Sequence, residues 1–374
     1  MRILYFSLIA IVLTGVGCKE NYEPDIKSLE ESFLVVEGNL NPAHDSTIIY
    51  LTRTFKIDDT AKIKVENGAN LVVEGKDNSV RNLIYAGNGK YVSPDLDLIM
   101  GNEYRLKIRL VNGKEYLSDY VKTKATPDID SIGLDMDGAD AQVYVNTQDP
   151  AGSSRYYRWT YQETWEIHSY FFSRYIFTND IIRERVLPAE DIYTCWKYNN
   201  NTEILLANSN RLQDDIIYKK PLLKILAGDD RLQVRYSILV KQYALDKEAY
   251  DFYEIMKKNT EEVGSFFAPQ PFEVRGNIRY GSNDAEPVIG YITASEEKTK
   301  RVFFIIPTWR YQFDNCSSVI VPDNIDSIRY YFSSMYSPYD YNNTPPDPPV
   351  YYGARPYCVD CLTRKATKVK PPFW

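Results

Sequence analysis

Three sets of residues have types and spacings that could do chemistry. Glu163 and Glu166 lie close to His168, and two carboxylates with a nearby base are all that glycoside hydrolysis requires. In a chain with 51 acids such a pair carries little information. His168, without a further catalytic partner in view, reads as a satisfied neighbour in a turn. A serine hydrolase would need a GxSxG elbow on an α/β scaffold, and the sequence has neither. Asp135, Asp137 and Asp140 resemble a calcium loop in outline, but Gly138 is misplaced and no bidentate glutamate follows, so they read as a polar turn. Gly87, Gly89 and Lys90 lack the spacing of a phosphate loop. The expectation is a protein without catalytic residues, metal or cofactor.

Cysteine placement says more. Arg2, the apolar run Ile3 to Leu13 and the small residues Gly15 and Gly17 lead to Cys18, which is the anatomy of a bacterial lipoprotein signal. On that reading Cys18 is lipidated and becomes the first residue of the mature chain. Gly15 stands where Leu or Val is usual, and the plainer alternative is a secretory leader with an incidental cysteine. Four cysteines then remain, Cys195, Cys316, Cys358 and Cys361, an even number that in an oxidising compartment predicts two disulfides. The CxxC of Cys358 and Cys361 also admits a zinc site completed by Cys195 and Cys316, or a redox pair. Of three possible connectivities, the preferred one has both CxxC cysteines reaching back to Cys195 and Cys316, pinning the tail to the body.

Aromatic content is the compositional outlier, with 32 tyrosines against 2 histidines. Tyrosine joins a flat apolar body to a polar tip, which suits strand packing and recognition surfaces alike. Tyr156, Tyr157, Trp159, Tyr161 and Trp165 are followed by Tyr170, Phe171 and Phe172. Alternation assigns part of this cluster to a core, with Arg158 and Glu163 on the opposite face. Where the run enters a polar loop, Trp165, Tyr170, Phe171 and Phe172 form a candidate recognition surface.

These residues need elements to hold them, and the pattern is mainly β. Residues 1–18 are the signal and 19–30 a polar tether. Residues 31–126 alternate apolar and polar residues in about seven short strands, the count of an immunoglobulin-like or transthyretin-like β-sandwich. The clearest strand is Tyr104 to Leu110, whose Tyr104, Leu106, Ile108 and Leu110 share one face before Asn112-Gly113 turns the chain. Pro127 opens a larger β-rich domain over 127–374, in which strands near 274–279 and 288–293 close the later body. One amphipathic helix is predicted from Lys247 to Glu262, with Asp246 as N-cap, Gly264 as its stop, and Ala249, Tyr253, Met256 and Thr260 on one face. The Pro- and Tyr-rich tail after Ser334 cannot build its own core and must lie over the body, held by cysteines.

Taken together, YYRWTYQETWEI at 156–167, Cys195-Trp196, the helix with its flanks at 236–278, VIGYI at 288–292 and the CVDC tail resemble an uncharacterised lipoprotein family of the Bacteroidota. That family is a domain of unknown function commonly encoded beside TonB-dependent outer-membrane receptors. The resemblance implies an outer-membrane lipoprotein working with such a receptor in nutrient capture, and Lys19-Glu20 after the lipidated cysteine resembles a signal for export to the outer face. It assigns no catalytic residue. The alternative is a structural subunit of an envelope complex that binds no small ligand. A net charge of -7 argues against nucleic acid and leaves the lipid as the membrane contact. Asp45-Ser46-Thr47, Asp59-Thr60-Ala61, Asp130-Ser131-Ile132 and Asp326-Ser327-Ile328 match a short O-glycosylation pattern.

Overall fold

A computed structural model describes residues 32–54, 64–261, 275–281 and 286–374. Cys18, the tether, Asp59-Thr60-Ala61 and the expected helix stop at Gly264 lie outside the described residues. The chain is mainly β, as its alternation predicts. Nine strands come first among the described residues: β1 (Leu34–Gly38), β2 (Thr47–Arg53), β3 (Lys64–Val65), β4 (Asn70–Gly75), β5 (Val80–Tyr85), β6 (Lys90–Ser93), β7 (Glu103–Arg109), β8 (Glu115–Ser118) and β9 (Val121–Lys122). They pair in one sheet wrapped around one core that includes Leu34, Leu51, Leu71, Leu106 and Ile108. In β7 the predicted face is buried, while Arg105 on the other side meets its cross-strand neighbour Glu74 at 2.6 Å. Gly113, at φ 85°, supplies the left-handed residue of the following turn.

The ends of this sheet come from far along the chain. β19 (Ile278–Tyr280) pairs antiparallel with β8, and β20 (Val288–Ile289) pairs parallel with β1. The sequence placed these strands with the later body. The correction has a plain physical reason: Ile278 and Val288 are apolar side chains that complete the N-terminal core, and edge pairing leaves no mark in local alternation.

Two further sheets share a second core. One is β10 (Ile129–Asp137), β11 (Asp140–Gln148) and β17 (Ile216–Ile225). The other is built on the long strand β12 (Tyr156–His168), flanked by β15 (Thr194–Asn200), β16 (Leu205–Asn208) and β18 (Arg235–Leu245), with β21 (Lys298–Phe304) beyond β18. Val143 and Val145 of the first sheet pack with Tyr157, Trp159, Ile238 and Val240 of the second. Gln242 ties the layers inside this core: its side chain accepts from Trp159 Nε1 at 2.8 Å and donates to the Pro127 carbonyl at 2.8 Å. The segment after β20 is stitched to the N-terminal strands, because Asn39 donates to the Ser295 carbonyl and Thr126 to the Glu296 carbonyl.

The predicted helix is α1 (Lys247–Glu261), and Asp246 caps it by accepting from the Ala249 amide at 2.8 Å. Its buried residues are Ala249, Tyr250 and Phe252, so the packed face is rotated from the one predicted, and Thr260 is exposed. A second helix, α2 (Ile325–Phe332), was not anticipated. A hairpin of β13 (Tyr175–Thr178) and β14 (Ile181–Glu184) and a sheet of β22 (Val319–Pro322), β23 (Ser337–Asn342) and β24 (Val350–Ala354) complete the fold, with a short helix α3 at Pro356–Val359. The tail after Ser334 lies over a small core supplied by residues before it, Val321, Ile328 and Phe332, against which Tyr336 and Tyr351 of the tail pack. Among the described residues no helix is long and apolar enough to cross a membrane.

Candidate functional site

The acids singled out from the sequence are held in separate structural networks. Glu163 is buried and accepts from Tyr236 Oη at 2.9 Å and Asn199 Nδ2 at 2.8 Å, with Arg231 Nε 2.9 Å away. Glu166 points the other way from β12 and binds His168 Nε2 and Trp374 Nε1, each at 2.9 Å. The His168 bond, ahead of the Trp374 bond and against the effect of burial, holds the Glu166 carboxyl below its usual range. His168 also lies against the Tyr193 ring, centroids 4.6 Å apart, as a satisfied neighbour would. Asp135 pairs with Lys219, while Asp137 and Asp140 pair with Lys224, which makes the aspartate run a surface hairpin turn. Among the described residues no three His, Cys, Asp or Glu gather as a metal site. Ser46 and Ser131 of the glycosylation patterns are exposed, and Ser327 is half-buried in α2.

Both CxxC cysteines reach back. Cys195 joins Cys361, and Cys316 joins Cys358. Cys195 and Cys361 belong to the second core, so the tail is bonded into the sandwich interior.

The four aromatic residues proposed as a recognition surface divide. Trp165 is 7% exposed and belongs to the core, its Nε1 donating to Asp230 Oδ1 at 2.9 Å. The expectation fails there because β12 runs on to His168 without entering a loop: Trp165 shares the buried face of Tyr157, Trp159, Tyr161 and Ile167, and Glu163, expected on the opposite face, lies on this one as well. Tyr170 and Phe172 are exposed, and Phe171 is half-buried, stacked on Tyr339 at 4.2 Å. The Tyr170 and Phe171 amides both donate to the Cys358 carbonyl, so the disulfide-bonded tail fixes this loop.

Sequence reasoning missed a cleft where the two units meet. Its walls are the β1 edge at Val35–Gly38, the α1 residues Phe252, Tyr253 and Met256, and Ile289–Tyr291; its floor is Arg158–Thr160 of β12. It encloses about 270 Å³. The Arg158 guanidinium stacks between aromatic rings, 4.5 Å from the Tyr253 centroid and 5.1 Å from that of Tyr243, its cross-strand partner. Its Nε is buried without a hydrogen-bond partner, and among the described residues no carboxylate pairs with it. Glu297 is already taken: it accepts from Tyr243 Oη and pairs with Lys241 at 2.7 Å. Burial foremost, then that carboxylate, pushes the Tyr243 phenol above its usual range. Alternation did place Arg158 on the face away from the core. That α1 and the β1 edge would roof that face depends on contacts distant in sequence.

Fold and site together define a mainly β, doubly disulfide-bonded chain with an aromatic cleft at the junction of its two units. The chain belongs to the family described as Domain of unknown function (DUF4249), whose profile matches residues 19–301. Comparison with curated proteins gives no match. Among solved structures, a two fibronectin type-III domain segment from chicken tenascin aligns at 12% identity, covering 58% of this chain and 92% of that one, with a TM-score of 0.17.

Proposed function

We propose that this chain is a lipid-anchored accessory protein of the outer membrane that binds a small ligand and works with a TonB-dependent transporter in nutrient capture. The observation that carries the binding half is the cleft: a concave, largely apolar site with a few charged groups, here Arg158 on its floor and Glu37 and Glu203 in its lining, is the usual form of a small-molecule site. The anchoring half rests on the leader ending at Cys18, and the transporter half on the company in which similar lipoproteins are encoded. The exposed Tyr170 and Phe172, fixed by the tail, favour a second reading as a structural subunit of an envelope complex.

The test is purification of the tagged chain from detergent-solubilised outer membranes, with identification of co-purifying proteins. The tag belongs in the β10–β11 turn at Gly138, where nothing approaches, and not at the C-terminus, where Trp374 is hydrogen-bonded to Glu166. A stoichiometric TonB-dependent receptor and a diacylglycerol-sized mass increment on Cys18 are the expected results. Recovery alone, or with non-transport envelope proteins, overturns the transporter role and favours the structural one.

A further inference from the structure

We infer that the cleft takes a small monocarboxylate with an apolar body, anchored by Arg158. This deepens the ligand-binding half of the proposed function and does not depend on a transporter. A guanidinium is a permanent cation whose planar donors match a carboxylate in two parallel hydrogen bonds. Arg53, Arg105 and Arg364 have that partner in Glu66, Glu74 and Asp230; Arg235, stacked on Phe303 and Trp374, has none among the described residues but does not line the cleft. Arg158 lies against the Tyr243 and Tyr253 rings, and among the described residues no anion completes it. A cation preorganised in this way has donors to offer a ligand at little further cost in side-chain entropy.

The rest of the cleft sets the class of anion. Phe252, Tyr253 and Met256 present an apolar wall to the ligand body, and thioether and ring faces adapt to flat or branched hydrocarbon alike. A volume of about 270 Å³ is small for a ligand site and excludes large ligands. Glu37 and Glu203 stand exposed at the mouth. Their charges repel multiply charged anions such as phosphate more than a single carboxylate, which selects a monoanion entering charge first.

The experiment is calorimetric titration of the full chain, purified in detergent, with phenylacetate, cyclohexanecarboxylate and hexanoate, and with the neutral isostere phenylacetamide. Saturable one-to-one binding of at least one carboxylate is expected, with phenylacetamide roughly tenfold or more weaker than phenylacetate where the latter binds. Arg158→Gln should weaken the carboxylate by a similar factor while leaving thermal unfolding cooperative. Met256→Trp, which fills the cleft from its α1 wall and keeps the cation, should also abolish binding and serves if Arg158→Gln does not fold. Failure of all three carboxylates to bind the folded chain, equal binding of acid and amide, or a carboxylate affinity unchanged in both variants overturns the inference. None of these outcomes depends on whether a receptor co-purifies, so the two readings fail separately.

Discussion

Arg364, just past the second cysteine of the CxxC, holds a guanidinium nitrogen 2.9 Å from the Asp230 carboxylate, which also receives Lys197 Nζ at 2.7 Å and Trp165 Nε1 at 2.9 Å. One carboxylate therefore ties the tail, strand β15 and the aromatic core of β12 to the turn before β18.

The first prediction concerns acid. Burial raises the Asp230 pKa, but the Lys197 hydrogen bond and the Lys197 and Arg364 charges outweigh it, so the carboxyl sits below its usual value. A carboxyl depressed only in the folded state binds fewer protons there than in the unfolded chain. Its contribution is complete above the ordinary carboxylate range, near pH 4 or so, and is lost as pH falls through the depressed value. Asp230→Asn should cost about 3 kcal/mol at neutral pH, because it leaves two cations without their partner. Urea denaturation of both proteins across acid pH should show that gap narrowing below about pH 4; a pH-independent gap would argue against the ion network.

Core and surface aromatic residues should separate cleanly. Trp165→Ala should cost about 3–5 kcal/mol in chemical denaturation, since it empties a core site and removes one of the hydrogen bonds to Asp230. Tyr170→Ala and Phe172→Ala, at exposed positions, should stay within about 0.5 kcal/mol of the parent.

Removing the outer disulfide by Cys195→Ala with Cys361→Ala should cost about 4 kcal/mol, since the bond closes a span of 166 residues and lies in the sandwich core. The inner bond, Cys316 to Cys358, spans 42 residues against the peripheral cluster around Ile192 and Val359. Its removal should loosen the tail first, read as earlier cleavage after Ser334 in limited proteolysis with the β12 sheet still protected.

The last two residues are also structural. Phe373 lies against the Arg301 guanidinium at 3.5 Å, and Trp374 against that of Arg235 at 5.2 Å. Deleting both should lower stability by about 1–3 kcal/mol and restore the Glu166 carboxyl toward its ordinary titration range, measurable by NMR.

At the junction, Gly290 sits at φ 142°, and a Cβ there would lie 2.1 Å from the Val36 carbonyl oxygen. Gly290→Ala should therefore separate β20 from β1 and open the cleft, seen as faster amide exchange along Val35–Gly38.

How much was legible in the sequence depended on whether a signal was local. Alternation in β7, the Asp246 cap and the backward reach of the CxxC cysteines were readable, since each is written in neighbouring residues or in simple counting. Trp165 was misplaced because the strand was expected to give way to a loop there, whereas β12 continues to His168 and its period two carries Trp165 onto the core face with Tyr161 and Ile167. The α2 helix carries a readable signal in Asn324, which caps it by accepting from the Ser327 amide at 2.9 Å, but its eight residues are too few to stand out by periodicity. Arg158 was placed on the correct face, while its roof of α1 and β1 came from segments that the sequence alone does not bring together.

Strands β19 and β20 give the architecture an order in time. The N-terminal sheet begins at Leu34 but has both of its ends supplied by residues 278–289, so a chain made from its N-terminus onward cannot finish its first unit until most of its second has been made. Contacts this distant are slow to close. Until they do, β1 and β8 each present an open hydrogen-bonding edge to their surroundings, which makes this half-made chain a natural client for a holding chaperone.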